Sequence, residues 1–154
     1  MMHLANRAII GLAIAASVSW SGVALSGDLA DFKDPFDGSK LSFPLKSGET
    51  ETAALKKFKE TGDNDYRKDS AAIAKGKELY DQWCQLCHNA DGSGKMGPSL
   101  ISNDPVYKQR KTDPGMFSII YAGASGAMQA FSKRELTQDD MLKIIAYVRT
   151  LEKK

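Results

Sequence analysis

Cys84-Gln85-Leu86-Cys87-His88 decides how the rest of the chain is read. Two thiols separated by two residues, with an imidazole directly after the second, form the Cys-x-x-Cys-His signature for attachment of c-type haem. The spacing has a chemical reason. The two thiols add to the two vinyl groups of a porphyrin, and the adjacent histidine then falls beneath the iron as its proximal ligand. Cys84 and Cys87 are the only cysteines among 154 residues, so the motif accounts for both. The expected cofactor is one covalently bound haem c.

Other uses of the two thiols fit less well. An exported protein can oxidise such a pair to a disulfide. A thioredoxin-type redox pair requires a βαβ context, and no alternating strand pattern precedes Cys84. A zinc site needs four ligands. Besides His88 the only histidine is His3, which lies in a leader. There, His3 and Arg7 precede an uncharged apolar stretch from Ala8 to Trp20, and small residues continue through Ser26. A basic start, a short apolar middle and a small-residue end make a secretory signal. Cleavage after Ala24 or after Ser26 fits equally. The apolar run falls short of the ~20 residues that span a bilayer. Residues 1–26 are therefore expected to be removed as a signal peptide, leaving a periplasmic protein without stable membrane insertion.

Composition agrees with a water-soluble chain: 42% hydrophobic and 26% charged residues, with a mean hydropathy of −0.35. A formal charge of +2 with scattered lysines gives no footprint for nucleic acid.

Once the leader is gone, His88 is the sole histidine, which excludes iron held by two imidazoles. Methionine opposite histidine raises the haem potential and suits electron transfer. Met96 follows His88 too closely to cross to the other haem face, and its segment Gly94-Lys95-Met96-Gly97-Pro98 should run along the proximal side. Met116 sits at a core-like helical position beside Phe117, and Met141 belongs to the apolar stripe of the last helix. Met128 ends a flexible loop, Ala122-Gly123-Ala124-Ser125-Gly126-Ala127-Met128, and is the predicted distal ligand. The expected metal ligands are thus His88 and Met128. Pro98 is the candidate carbonyl donor for the other ring nitrogen of His88, since haem-ligating histidines donate that N–H to a neighbour; an ordinary turn is the alternative.

Helical periodicity surrounds the motif. From Ser70 to Trp83, Ile73, Gly76, Tyr80 and Cys84 recur three or four apart, with Asp69 or Ser70 as the cap. Gly76 costs a helix about 1 kcal/mol against alanine and is explained by close contact with another helix. Thr137 and Asp140 form a capping box for a last helix whose stripe is Met141, Ile144, Ile145, Val148 and Leu151, with Leu136 and Met141 as a hydrophobic staple. A further helix should start at Asp113-Pro114, with proline first, and bury Phe117, Ile120 and Tyr121. An earlier one, about 51–61, should bury Leu55 and Phe58 and stop at Gly62. The expected fold is all-α, with four to five helices around one haem. Residues 66–154 form the haem domain and residues 27–65 an N-terminal extension. Turn signals at Asp34-Pro35 and Asp37-Gly38, with Phe32, Phe36 and Phe43, suggest that the extension packs on the domain; a disordered leader is the alternative.

These residues resemble class I cytochromes c. Gly76 and Tyr80 look like the pair that packs on the last helix near Ile144 and Tyr147. Gly97-Pro98-Ser99-Leu100 looks like the stretch that follows the attachment site, and Met128 matches the distal methionine. A narrower resemblance, to the cytochrome c-L type of methylotrophs, rests on Phe58-Lys59-Glu60-Thr61-Gly62 leading to Tyr66, on Gly94 to Pro98, on Thr112-Asp113 with Gly115 and Phe117, and on Gly123 to Gly126 before Met128. Gln129-Ala130 stand where that family often has Gly-Pro. The resemblance implies a one-electron carrier and not an enzyme. Its donor would be a quinoprotein alcohol dehydrogenase carrying pyrroloquinoline quinone, and its acceptor a second cytochrome or a terminal oxidase. A generic shuttle with another donor, or a five-coordinate haem sensor or enzyme, are the alternatives. A di-haem peroxidase would need a second attachment motif, which the chain lacks.

Overall fold

The computed structural model describes residues 30–152, so the leader expected at 1–26 lies outside the described residues. Among the described residues five α-helices follow one another: α1 (Ala53–Thr61), α2 (Ser70–Trp83), α3 (Gln85–His88), α4 (Asp113–Ala122) and α5 (Gln138–Leu151). Short 3-10 turns occupy Asp65–Lys68, Lys108–Lys111 and Phe131–Lys133. Among the described residues there is no strand, only an isolated bridge between Lys33 and Lys40. The all-α class expected from the sequence is the class observed.

Side chains set the helix starts. Asp69 accepts from the N–H groups of Ala71 and Ala72 to begin α2. Thr137 and Asp140 close the reciprocal box at the start of α5. Thr52 caps α1 by accepting from Leu55 N–H, so that helix begins at Ala53, slightly later than periodicity suggested. Thr112 caps α4 on Gly115 N–H, which makes Asp113 its first residue and Pro114 its second. Each such cap is worth about 1 kcal/mol. Gly62, at φ 78°, ends α1 in the left-handed region that favours glycine.

α2 and α5 cross at Gly76. A Cβ built there would stand 2.0 Å from the Lys143 carbonyl oxygen, so only hydrogen fits. Beside the crossing, the Tyr80 and Tyr147 rings meet edge to face at 5.3 Å. Met141, Ile144, Ile145, Val148 and Leu151 all lie buried along α5, as their stripe requires, and Leu136 and Met141 of the expected staple are both in the core. α4 buries Met116, Phe117 and Ile120, while Tyr121 stays half-buried.

The segment before α1 joins the same core. Phe32 lies 5.3 Å from Phe58, and Phe43 lies 5.3 Å from Phe117. Phe36 departs from expectation: it is 61% exposed. It sits in the tight Asp34–Gly38 turn, where its N–H is bound to the Asp34 carboxylate, and the turn directs it away from its neighbours. Polar bonds fasten the segment too. Asp139 of α5 accepts from Thr52 Oγ1 at 2.5 Å and from Tyr66 OH at 2.7 Å. Burial alone would raise the Asp139 pKa, but hydrogen bonds from Lys143, Thr52 and Tyr66 hold it below the usual carboxylate range.

Gly76→Ala is expected to destabilise the holoprotein by about 1–3 kcal/mol, the range for forcing extra atoms into a packed contact, although alanine is the better helix former. Guanidinium unfolding followed by circular dichroism measures the change.

Candidate functional site

The attachment motif occupies one helical turn that continues α2. Cys84 donates its N–H to Tyr80 O at 2.8 Å, and the N–H groups of Cys87 and His88 both bond to Cys84 O, at 3.1 and 3.0 Å. Residues three apart on a helix share a face, so the turn presents both thiols on one side. Burial, with Cys87 beside it, pushes the Cys84 thiol up to about 12. A disulfide-exchanging Cys-x-x-Cys needs the opposite, a thiol with a depressed pKa.

His88 is buried, and its Nδ1 lies 2.8 Å from the carbonyl oxygen of Pro98. A carbonyl can only accept, so Nδ1 carries the proton and Nε2 keeps its lone pair. The ring lies against the backbone of Gly97. A Cβ there would come within 2.5 Å of Cε1, 2.9 Å of Nδ1 and 3.0 Å of Nε2. The loop that brings Gly97 and Pro98 back to the imidazole is closed by backbone bonds from Gly94 N–H to His88 O at 3.1 Å, Gly97 N–H to Cys87 O at 2.9 Å and Leu100 N–H to Gly92 O at 2.8 Å. Tyr80 OH donates to Asn89 O at 2.6 Å where the chain leaves the motif.

The four candidate methionines separate clearly. Met116 and Met141 are buried in the core, and Met96 is 71% exposed on the loop that holds the imidazole. Met128 is half-buried and packs against the core cluster. Its turn begins at Gly123, φ 84°, where α4 stops. A Cβ on Gly123 would stand 2.8 Å from Met128 O and 2.9 Å from Ala130 N. The turn closes with a bond from Ala124 N–H to Met128 O at 3.1 Å.

The donor set fits a haem. Two thiols share a face, one imidazole is fixed with Nε2 free, and apolar side chains that remain partly open, among them Trp83, Leu100, Ile101, Tyr121 and Met128, pack on the core. Among the described residues no cluster of His, Cys, Asp and Glu forms a cage for a bare metal ion.

Residues 71–148 match the family model described as cytochrome c oxidase, cbb3-type, subunit III. Across 156 aligned residues the chain is 36% identical to cytochrome c-L of Methylorubrum extorquens, covering 95% of this chain and 78% of that protein. The chain belongs to the cytochrome c-L family. Two solved structures agree. Cytochrome cL of Methylophaga aminisulfidivorans is 34% identical with a TM-score of 0.73, covering 77% of this chain and 79% of the other. Cytochrome cL of Hyphomicrobium denitrificans is also 34% identical, with a TM-score of 0.68, covering 77% and 71%. The fold is that of class I cytochromes c, as the sequence resemblance implied. Members of the cytochrome c-L family are electron-transfer proteins; this chain is therefore an electron carrier and not an enzyme, and the cytochrome c family implies covalent haem c.

Several supporting residues escape sequence reading. Gly97 stands beside Pro98 in the sequence, but nothing local reveals that an imidazole lies on it. Arg110 and Arg149 look like surface charges and are buried instead. Arg149 Nε donates to Asp113 Oδ1 at 2.7 Å and another of its nitrogens to Arg110 O at 2.9 Å. Arg110 donates to Ser102 O at 2.6 Å, to Glu152 Oε1 at 2.6 Å and to Leu100 O. The signal that could have found Arg149 is its position on the apolar side of α5, next to Val148.

Gly97→Ala is expected to drive the His88 ring or the Pro98 loop out of place, costing the holoprotein about 1–3 kcal/mol by overpacking. Guanidinium melts read the loss, and the Soret and visible bands of the haem report the disturbed imidazole.

Proposed function

We propose that this chain is a periplasmic carrier with one haem c. It takes electrons singly from a quinoprotein alcohol dehydrogenase containing pyrroloquinoline quinone and hands them to a second cytochrome or a terminal oxidase. The observation that carries this reading is the 2.8 Å contact from His88 Nδ1 to Pro98 O, which leaves Nε2 as a directed donor beside two co-facial thiols.

Haem iron, when bound, supplies a single-electron couple between the +3 and +2 states. The chain's residues do the rest. Cys84 and Cys87 would tether the porphyrin through their sulfurs, and the buried imidazole of His88 would ligate the iron. Pro98 O keeps that imidazole in one tautomer and raises its basicity. Met128 would supply the second protein ligand. A thioether opposite imidazole favours the reduced state and raises the potential, which suits a protein placed between a dehydrogenase and an oxidase. Partly buried Leu100, Ile101 and Trp83 pack on the core and would shield a bound porphyrin from water. No bond of a substrate is made or broken, so no acid, base or nucleophile is required.

The signal-like pattern of residues 1–26 and the family relationship support the periplasmic location. No helix of the described residues is long and apolar enough to cross a membrane. The dehydrogenase donor is supported by similarity to cytochrome c-L over most of the chain, extension included.

Stopped-flow mixing with purified quinoprotein methanol and ethanol dehydrogenases tests the donor. Reduction by at least one should be about tenfold or more faster than by an unrelated dehydrogenase, since specific docking separates the two rates. Equal rates leave a carrier with some other donor.

Met128→Ala tests the ligand. The near-infrared charge-transfer band of methionine–iron bonding should vanish, the oxidised spectrum should become high-spin, and the reduced protein should bind carbon monoxide rapidly. A variant that keeps the wild-type low-spin spectrum has another distal ligand.

A further inference from the structure

The turn that carries Met128 is tethered to the molecule by a distant side chain. The hydroxyl of Tyr107 shares a hydrogen bond with Ser125 Oγ at 2.6 Å and accepts from Ser125 N–H at 2.8 Å. Eighteen residues separate the two partners. Both bonds land on the tip of the turn that runs from Gly123 to Met128. That tip is otherwise unsupported. Ser125, Gly126 and Ala127 are exposed, and a Cβ on Gly126 would meet nothing within 4 Å. No other side-chain hydrogen bond among the described residues reaches these three positions.

Tyr107, by contrast, stands on fixed ground. It precedes the 3-10 turn Lys108–Lys111, and its carbonyl accepts from Arg110 N–H at 3.0 Å. The Arg110 guanidinium is buried and grips the carbonyls of Leu100 and Ser102. Leu100 lies two residues beyond Pro98, whose carbonyl orients His88. A hydrogen-bonded path therefore runs from the loop that holds His88, through Arg110 and Tyr107, to the turn that holds Met128.

We propose that Tyr107 is a positioning residue for the distal methionine: its hydroxyl holds the Ser125 tip so that the Met128 turn stays closed. This rests on Met128 being the distal ligand. An external ligand can reach the iron only after Met128 has left it and the turn has opened. The apparent affinity for that ligand is its intrinsic affinity scaled by the open fraction. Removing the hydroxyl deletes both bonds to the tip, raises the open fraction and tightens external-ligand binding, while the apolar core and the attachment site are untouched.

The test titrates the oxidised holoprotein with imidazole, following the loss of the methionine–iron band. Tyr107→Phe should bind imidazole about five- to tenfold more tightly than wild type, the factor expected for lost hydrogen bonds on a partly exposed loop. Ser125→Ala removes only the hydroxyl partner and keeps the N–H bond, so its gain should be smaller, about twofold. The double variant should gain no more than Tyr107→Phe alone, because the two groups act as a pair. General loss of stability would not produce that non-additivity. An affinity for Tyr107→Phe equal to wild type, or full additivity of the two substitutions, overturns the inference. If Tyr107→Phe fails to fold, an unchanged affinity in Ser125→Ala overturns it. A wild-type protein lacking the methionine–iron band overturns the Met128 assignment instead, which keeps the two failures apart.

Discussion

A single hydrogen bond, from His88 Nδ1 to the Pro98 carbonyl, gives the site its chemistry. It decides which nitrogen carries the proton and which way the lone pair of Nε2 points. Everything around it serves that bond. The backbone bonds of residues 92 to 100 return Pro98 to the motif, and the missing side chain of Gly97 leaves the imidazole room to lie flat against the loop. Buried arginine reinforces the same loop from behind, at Leu100 and Ser102. Arg110 and Arg149 are compensated by Glu152, Asp113 and backbone carbonyls, the condition under which buried charge is tolerated.

The helices fix where that loop can go. α2 delivers the motif and α5 lies across it, separated by no more than a glycine hydrogen at Gly76. The extension thickens this core. Phe32 and Phe43 complete an aromatic cluster with Phe58 and Phe117, and Thr52 binds the Asp139 carboxylate of α5, which Tyr66, beyond the extension, also holds. A small haem protein has little apolar chain with which to build an interior. Aromatic and polar contacts from the segment before the motif enlarge it.

An electron carrier asks for rigidity and for little else. No proton must move, so the polar groups near the motif are bound in fixed roles. The half of the site that holds Met128 is built differently from the half that holds His88. His88 is buried and framed by a closed loop, whereas Met128 ends a turn whose tip is exposed and, among the described residues, has one side-chain tether. Stiffness is thus concentrated on the proximal side, and the proposed distal ligand depends on a longer-range contact.

The sequence by itself determined the features that depend on neighbours within about one helical turn. The Cys84–His88 spacing, the capping box at Thr137 and Asp140, a cap at Asp69 or Ser70 and the apolar stripe of α5 are all local, because helix geometry converts spacing directly into proximity. Gly76 was legible for a related reason, since a residue costly to a helix needs a packing explanation. Only the tertiary structure decided the rest. That Phe36 faces solvent while Phe32 is buried and Phe43 half-buried, that Arg110 and Arg149 lie inside, that Gly97 lies under an imidazole and that Tyr107 reaches Ser125 all depend on segments meeting after the chain has folded. Such contacts leave no periodic trace. Their energies are set by the partner's position in space, which the sequence spacing of one segment does not contain.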